Sequence, residues 1–312
     1  MTNYNLQPAS DFLFDRRPFG FECVDRVPGQ MPQGRRAVLV VGNQAPYLLT
    51  RSEELTLSLL DVPVLTITAD PCNSIGIAGS SRSDWSIRFC ARGEGNTEVE
   101  ARGHLQQVSM IRLGSAISLK GPILSEKPQT GGCFLLDAPS NAPIVIHASY
   151  SFAQIRDMTG PVRVTAAHAR AIILDTMGQV DAAASMIDFA GSRGRVNLSA
   201  ETEINLKMTA ARFQGTLIAW AQRPVRMLIP PGFMTPFEAV VNRPQDFVCR
   251  ADLVVKPTRR YGLYVFTYEG AGSSAPELMH LRSEQATVVI DTTREVRQAT
   301  GDNHPWLKDS AR

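Results

Sequence analysis

Six acidic side chains in the second half of this 312-residue sequence are the first candidates for chemistry. They are Asp157, Asp175, Asp181, Asp188, Glu201 and Glu203. Carboxylates stacked on one face of a β-helix can cleave polysaccharides by general acid–base catalysis. Counted from the preceding glycines Gly178 and Gly194, only Asp188 and Glu203 nearly align, at offsets 10 and 9. We therefore expect solvated, outward-facing acids, and a carbohydrate-active β-helix enzyme is kept as an alternative.

Histidines and cysteines offer no metal or nucleophile pattern. No two of the five histidines have H-x-x-x-H spacing, and no G-x-S-x-G elbow or phosphate-binding glycine loop occurs. The five cysteines are scattered without C-x-x-C spacing, which argues against a zinc site and a disulfide framework. Cys90 and Cys249 lie in apolar segments and are expected to be small buried hydrophobic residues. The sequence predicts no catalytic residue, no cofactor and no metal.

Two groups of apolar side chains are candidate interaction residues. Ile218 and Trp220 fall at the offsets from Gly215 that should face outward, where such a pair would mark a docking patch unless another part of the chain covers it. The N-terminal segment carries the second group, Phe12, Phe14, Phe19 and Phe21. Four aromatic residues are too many for a free tail. We expect this segment to pack on the protein itself or on a neighbouring subunit.

A glycine-headed repeat must position all of these side chains. Gly160, Gly178, Gly194 and Gly215 are spaced 18, 16 and 21 residues apart. Each precedes apolar residues at offsets +2 and +4, namely Val162 and Val164, Val180 and Ala182, Val196 and Leu198, and Leu217 and Ala219. Alternation with period two indicates a strand with one buried face, and its repetition indicates stacked copies of one unit. The pattern predicts an all-β protein built as a β-solenoid or β-roll.

The remaining chain divides into four segments by composition. Residues 1–35 form an extended arm, 36–132 a β-rich N-terminal cap, 133–293 the solenoid with its terminal strands, and 294–312 a polar tail. Thr97 followed by Glu100 predicts one short helix near 97–108. The prolines at 230 and 231 should end the repeat. Beyond them the segments 237–241, 247–255, 261–270 and 286–291 are predicted strands.

The chain resembles a bacterial family of uncharacterised β-solenoid domains known as putative adhesins. The resemblance rests on the glycine-headed G-x-V-x-V coils, the break at Ile229–Phe233 and the closing segment Leu278–Ile290, with Gln285-Ala286 where a glycine is usual. Residues 55–291 are covered, with an opening strand pair and short helix in the N-terminal half. The resemblance implies a β-solenoid or roll and no assigned catalytic residues.

The net charge and the N-terminal sequence indicate which classes of partner and which cellular compartment to expect. A formal net charge of +2 gives no electrostatic reason to expect nucleic acid. Residues 1–15 lack an export-signal pattern and no stretch reaches the ~18 apolar residues of a membrane helix, so a cytoplasmic location is expected ahead of the cell surface. We expect a non-catalytic scaffold or protein-interaction module that forms homo-oligomers. A surface adhesin-like module is the first alternative, and carbohydrate binding has no sequence support.

Overall fold

The computed structural model describes residues 47–71, 73–122, 130–270 and 278–293. Within these ranges the protein is all-β, with twenty strands, one α-helix and a short 3₁₀ turn at Pro244–Asp246. All twenty strands belong to one mixed sheet. The phenylalanines at 12, 14, 19 and 21 lie outside the described residues.

The strands fall into three groups along the chain. The first group is β1 (Tyr47–Ser58), β2 (Leu65–Ala69), β3 (Asn73–Ser80), β4 (Asp84–Gly95), β5 (Ser109–Leu113), β6 (Ala116–Lys120) and β7 (Gly131–Pro139). The second is β8 (Ile144–Ser149), β9 (Phe152–Arg156), β10 (Val162–Leu174), β11 (Gln179–Gly191), β12 (Arg193–Met208), β13 (Gln214–Ala221) and β14 (Val225–Ile229). The third is β15 (Phe237–Val241), β16 (Phe247–Cys249), β17 (Lys256–Arg260), β18 (Leu263–Tyr268), β19 (Leu278–Ser283) and β20 (Val288–Thr292).

The predicted helix is confirmed as α1, Glu98–Gln106. The Thr97 side chain accepts a hydrogen bond from the Glu100 backbone N–H, and the Glu100 carboxylate accepts one from the Asn96 N–H. These bonds satisfy amides that a helix N-terminus otherwise leaves unpaired. Ala101 and Val108 are fully buried, so the apolar side of this segment faces the protein interior.

Two rows of parallel pairing run through the sheet, and we call them ladder 1 and ladder 2. Ladder 1 joins β2, β8, the first halves of β10, β11 and β12, then β13, β19 and β15. Its register aligns the +2 positions of the glycine repeat, in the order Ile144, Val162, Val180, Val196, Leu217 and Met279. The repeat unit read from the sequence is therefore the unit that pairs.

Ladder 2 joins the strands that complete each unit. It contains β3, β9, the second halves of β10, β11 and β12, then β14, β20 and β16. On its other side β7 pairs in parallel with β3, and β4 and β1 follow in antiparallel order. Register shifts at Ala166/Arg170 in β10 and at Ala184/Met186 in β11 separate the two halves of these strands.

One hydrophobic core lies between the inward-facing residues of both ladders. Val162, Val164, Val180, Val196, Leu198 and Leu217 are all buried, which confirms their predicted positions. Arg163, Gln179, Arg195 and Asn197, predicted to face outward, are exposed. Alternating burial along strands that share one register produces this pattern.

The repeat glycines are required where neighbouring units approach each other. A Cβ on Gly215 would lie 2.3 Å from the carbonyl oxygen of Gly194, and Gly215 has φ of +121°. A Cβ on Gly178 would lie 2.4 Å from the carbonyl oxygen of Thr159. No side chain fits at these separations, so the backbone of the preceding unit requires glycine at both positions.

The C-terminal strands match the predictions only in part. β14 ends at Ile229 before the tandem prolines, and β15 occupies the predicted 237–241. The predicted strand 247–255 is wrong beyond Cys249, because only three residues pair with β20. Lys256–Arg260 was missed as a strand: all five residues are exposed, and its pairing with β18 holds the polar sequence extended.

Candidate functional site

The outer surface of ladder 1 displays the side chains that alternate with the core residues. One row across it consists of Val145, Arg163, Asp181, Asn197, Ile218, His280 and Glu238. The next row consists of His147, Thr165, Ala183, Ser199, Trp220, Arg282 and Val240. Parallel strands lie about 4.8 Å apart, so each row is a regularly spaced line of side chains. This surface is the candidate functional site.

Ile218 and Trp220 lie at the centre of this surface. Both are on β13, two residues apart, and therefore point to the same side of the sheet. Ile218 is 46% exposed, while Trp220 is half-buried against its neighbours. The pair forms an apolar centre flanked by polar side chains on β12 and β19, and its role as an interaction patch stays a prediction.

Charged side chains border the apolar centre on the C-terminal side. His280 is in register with Ile218, and its Nδ1 lies 3.5 Å from the Glu238 carboxylate. Arg260 lies 3.5 Å from the same carboxylate. Arg282, in register with Trp220, lies 3.6 Å from Glu284. These exposed pairs contribute little to stability but create a charged rim.

A second exposed aromatic feature lies where the chain leaves ladder 1. The rings of Tyr150 and His168 stack with centroids 4.7 Å apart and planes inclined by 23°. Both residues have left-handed backbone conformations, with φ of 49° and 52°. Tyr150 is 57% exposed. The sequence gave no signal for this stack, because Tyr150 is 18 residues earlier in the chain than His168.

Two of the acidic residues, Asp188 and Glu203, are joined through Asn205, whose side-chain amide donates to the first carboxylate at 2.9 Å and to the second at 3.2 Å. Asp188 is in register with Asn205, and Glu203 with Met186, so the two carboxylates do not occupy equivalent positions. Glu203 lies 3.8 Å from the Arg226 guanidinium. Of the other candidates, Asp157 and Asp175 occupy left-handed turn positions with φ of 59° and 48°.

The expectation that these acidic side chains are solvated is wrong for Asp188, because its side chain is fully buried. Its carboxylate accepts hydrogen bonds from the Arg170 guanidinium at 2.5 Å and from the Asn205 amide at 2.9 Å. Burial raises the pKa of Asp188, against the opposing influence of Arg170 and Asn205. Strand alternation correctly places the Asp188 side chain on the side of the sheet away from the core. The expectation of solvent exposure was wrong because that side of the sheet is inaccessible to solvent at Asp188.

The cysteines also differ from expectation. Cys90 is buried as expected, but it is disulfide-bonded. Cys249 is free, and partial burial raises the pKa of its thiol. In the described ranges no three His, Cys, Asp or Glu side chains converge as a metal site would require. The scattered spacing of the cysteines in the sequence gave no signal for the Cys90 disulfide.

A cavity of about 80 Å³ lies on the outer surface of ladder 2. Gly76, Leu135, Gln154 and Arg156 contribute to its lining. Pockets for small organic ligands are typically several hundred Å³. This cavity is too small for a sugar or cofactor.

Sequence reasoning missed the part of the ladder 1 surface contributed by the C-terminal strands. Glu238 reaches the row of Ile218 only because β15 pairs in parallel with β19, about 40 residues later. Arg260 arrives through β17 and β18. Long-range pairings of this kind leave no local sequence pattern, so the charged rim could be found only in three dimensions.

Comparison with known proteins gives distant structural matches. No family model matches the chain, and no curated protein matches it in sequence. A solved structure of a putative cell adhesion protein from Clostridium sporogenes is 6% identical, covers 78% of this chain and 98% of its own, and has a TM-score of 0.32. A putative adhesin from Bacteroides fragilis is 11% identical, covers 78% and 96%, and has a TM-score of 0.25. A putative adhesin from Parabacteroides merdae is 8% identical, covers 81% and 96%, and has a TM-score of 0.27.

All three are bacterial proteins described as putative adhesins or as a putative cell adhesion protein. Their low identities and TM-scores carry no residue or activity to this chain. Within the described ranges, no helix has the length and apolarity that crossing a bilayer requires.

Proposed function

We propose that this protein is a non-catalytic β-solenoid binding module that docks a protein partner on the outer surface of ladder 1. The observation that carries the proposal is the exposed Ile218 beside Trp220, at the centre of that surface. An aromatic and aliphatic centre inside a charged rim is the usual anatomy of a protein-binding surface. The rim here is His280, Glu238, Arg260 and Arg282.

The solenoid part of the proposal is supported by the repeated register. Each unit supplies one strand to ladder 1 and one to ladder 2, and equivalent residues pair from unit to unit. Stacked units that share one core give extended, regular surfaces, which such proteins use for binding and scaffolding. Terminal units expose strand edges, so association with a second copy is a further part of the proposal.

The absence of catalysis is part of the proposal, and the acidic residues support it. Asp188 is buried and held by Arg170 and Asn205, so it is not open to a substrate. Glu203 lies 3.8 Å from the Arg226 guanidinium and accepts a hydrogen bond from the same Asn205 amide that binds Asp188. General acid–base cleavage of a glycoside needs two accessible carboxyl groups on either side of the bond.

A surface adhesin-like module is the second candidate function, and the Cys90 disulfide favours it. Disulfides persist in secreted and surface proteins and are rare in reducing cytosol. The binding surface would be the same in both cases, and only the compartment and the partner differ. Cell fractionation against cytosolic and envelope markers separates this candidate from a cytoplasmic scaffold.

The binding proposal is tested with Ile218→Asp and a matched control, Leu113→Asp. Leu113 is also an exposed hydrophobic residue, on β5, which pairs with β6 beyond β2 at the end of ladder 1. The wild-type protein and both variants are used as bait, and retained proteins are identified by mass spectrometry. We expect one partner to be retained by wild type and Leu113→Asp but lost from Ile218→Asp. Equal retention by all three, or polysaccharide turnover by the purified protein, would contradict the proposal.

A further inference from the structure

The row of strands that contains ladder 1 has two edges, one at each end. At one end β2 pairs with β6, and β6 pairs with β5. At the other end β15 pairs with β18, and β18 pairs with β17. Within the described ranges β5 and β17 each pair with one strand, so each has a free side along its backbone.

The backbone groups on the free side of β5 are those of Met110 and Arg112. The Leu119 carbonyl on β6 accepts a hydrogen bond from the Asp70 N–H at the end of β2, so Leu119 and, by alternation, Ile117 bond toward β2. Met110 is opposite Leu119, and Arg112 is opposite Ile117. Both are therefore non-hydrogen-bonded positions of the β5–β6 pair, and their N–H and C=O groups point to the free side.

The side chains of β5 are also open on the outer surface. Ile111 is 44% exposed and Leu113 is 72% exposed, whereas Met110, on the opposite face of the strand, packs against the main core. Free backbone groups beside exposed apolar side chains make a strand edge that readily pairs with another chain.

The opposite edge, β17, is protected against such pairing. Arg260 and Leu263 flank a two-residue turn and form the first hydrogen-bonded pair of the β17–β18 hairpin. Alternation makes Arg259 and Pro257 the residues whose backbone faces the free side. Pro257 has no N–H to donate, and all five residues of β17, three of them basic, are exposed. A proline and repeated charges are the features that block strand edges.

The free side of β5 is complementary to a second copy of itself. In an antiparallel pair centred on Ile111, Met110 of each copy opposes Arg112 of the other, and the free backbone groups form four hydrogen bonds. The two Ile111 residues then face each other with Cα atoms about 4.5 Å apart. Centring on Arg112 would oppose two like charges. Centring on Met110 would require Val108, whose N–H already bonds to the Leu105 carbonyl.

We propose that two copies of this chain dimerise edge to edge through β5, in antiparallel register about Ile111. The inference rests on the proposed function only for the role of the ladder 1 surface. A two-fold axis perpendicular to the sheet keeps the outer surfaces of both copies on one side. Seven strand spacings separate β5 from β13 in each copy, so the two Ile218 patches lie about 70 Å apart. Because β17 is blocked, the association closes at two copies.

The size of the contact predicts a reversible dimer. A stable interface takes about 20–30 residues from each partner, and β5 has five. We therefore expect a dissociation constant in the micromolar range, with the dimer presenting two ladder 1 surfaces to a multivalent partner.

Sedimentation equilibrium from about 1 µM to about 500 µM tests the dimer with Arg112→Pro and the matched control Arg112→Ala. Both variants lose the guanidinium, but only proline removes the outward N–H, as Pro257 does on β17. We expect Arg112→Ala to dimerise within about threefold of wild type, and Arg112→Pro to raise the dissociation constant roughly thirtyfold, because each copy loses one donor. A wild-type protein that is monomeric throughout this range, or a folded Arg112→Pro protein that dimerises like Arg112→Ala, overturns the proposal.

Ile111→Lys tests the same contact through its side chains and decides the case if Arg112→Pro does not fold. Two ammonium groups would then lie opposite each other at the centre of the pair, and we expect a monomer. The matched control is Ile218→Asp, an exposed isoleucine far from β5, which should still dimerise. A dimeric Ile111→Lys protein overturns the proposal. Partner capture separates this result from the proposed function, because monomeric β5 variants keep the ladder 1 surface and should still retain the partner that Ile218→Asp loses.

Discussion

Replacing Arg170 by methionine is expected to destabilise the protein strongly at neutral pH. Arg170 is one-third exposed, but the carboxylate that it binds, Asp188, is fully buried. Methionine keeps much of the volume of the side chain and removes its charge. Of the donors to Asp188 in the described part of the chain, the Asn205 amide would then remain. A buried charge without its counter-ion is one of the most destabilising single defects in a folded protein.

The magnitude follows from burial. Removing one partner of a buried ion pair costs about 3–5 kcal/mol. Because Arg170 remains partly in contact with water, we expect the lower end of that range, about 3 kcal/mol. For a chain of 312 residues each kcal/mol lowers the melting temperature by about 1.5 °C, so the expected decrease is about 5 °C.

The pH dependence has a definite sign. Burial raises the pKa of Asp188 above its unfolded value, so the folded state takes up the proton more readily. Stability is then highest below the unfolded pKa of about 3.9 and falls as pH rises through the folded value. Loss of Arg170 raises that folded pKa further. The destabilisation of Arg170→Met should therefore be largest at pH 7 and smaller at pH 4.5.

Urea denaturation of four proteins at pH 7 and 4.5 measures these effects. Arg163→Met is the matched control, because Arg163 is an exposed arginine on the same strand and should change stability by less than about 0.5 kcal/mol. Adding Asp188→Asn to Arg170→Met removes the unpaired charge and should recover part of the loss. A cost below about 1 kcal/mol for Arg170→Met, or a cost equal at both pH values, would refute the reasoning.

Three further changes test the core, the glycine positions and the arm. Val196→Asp, which buries a carboxylate without a partner, should abolish soluble expression, and a folded soluble variant would contradict the assigned core. Gly215→Ala should lower the urea midpoint, because its Cβ would meet a carbonyl oxygen at 2.3 Å, whereas Gly103→Ala in α1 meets nothing and should raise it slightly. Deleting residues 2–35 should lower the melting temperature, because the arm is expected to pack on the protein. If homo-oligomers form through the arm, the deletion should also lower the molecular mass measured by light scattering. An unchanged melting temperature would contradict the expected packing of the arm.

The sequence by itself determined the repeated unit and its core. Valine and leucine at fixed offsets from Gly160, Gly178, Gly194 and Gly215 predict which side of each strand is buried, because strand alternation and stacking act on every unit alike. The capped helix at 98–106 was equally predictable, since Thr97 and Glu100 act within four residues. Both results come from local chemistry repeated along the chain.

Only the tertiary structure decided which outward-facing residues meet solvent. Asp181 and Asp188 both alternate with core residues on β11, yet Asp188 is closed off and Asp181 is not. Ile172 and Ile218 also both face away from the core, and only Ile218 is open. Alternation fixes the direction of a side chain and says nothing of what lies above it. That depends on segments distant in sequence, as does the placement of Glu238 beside His280 through β15 and β19.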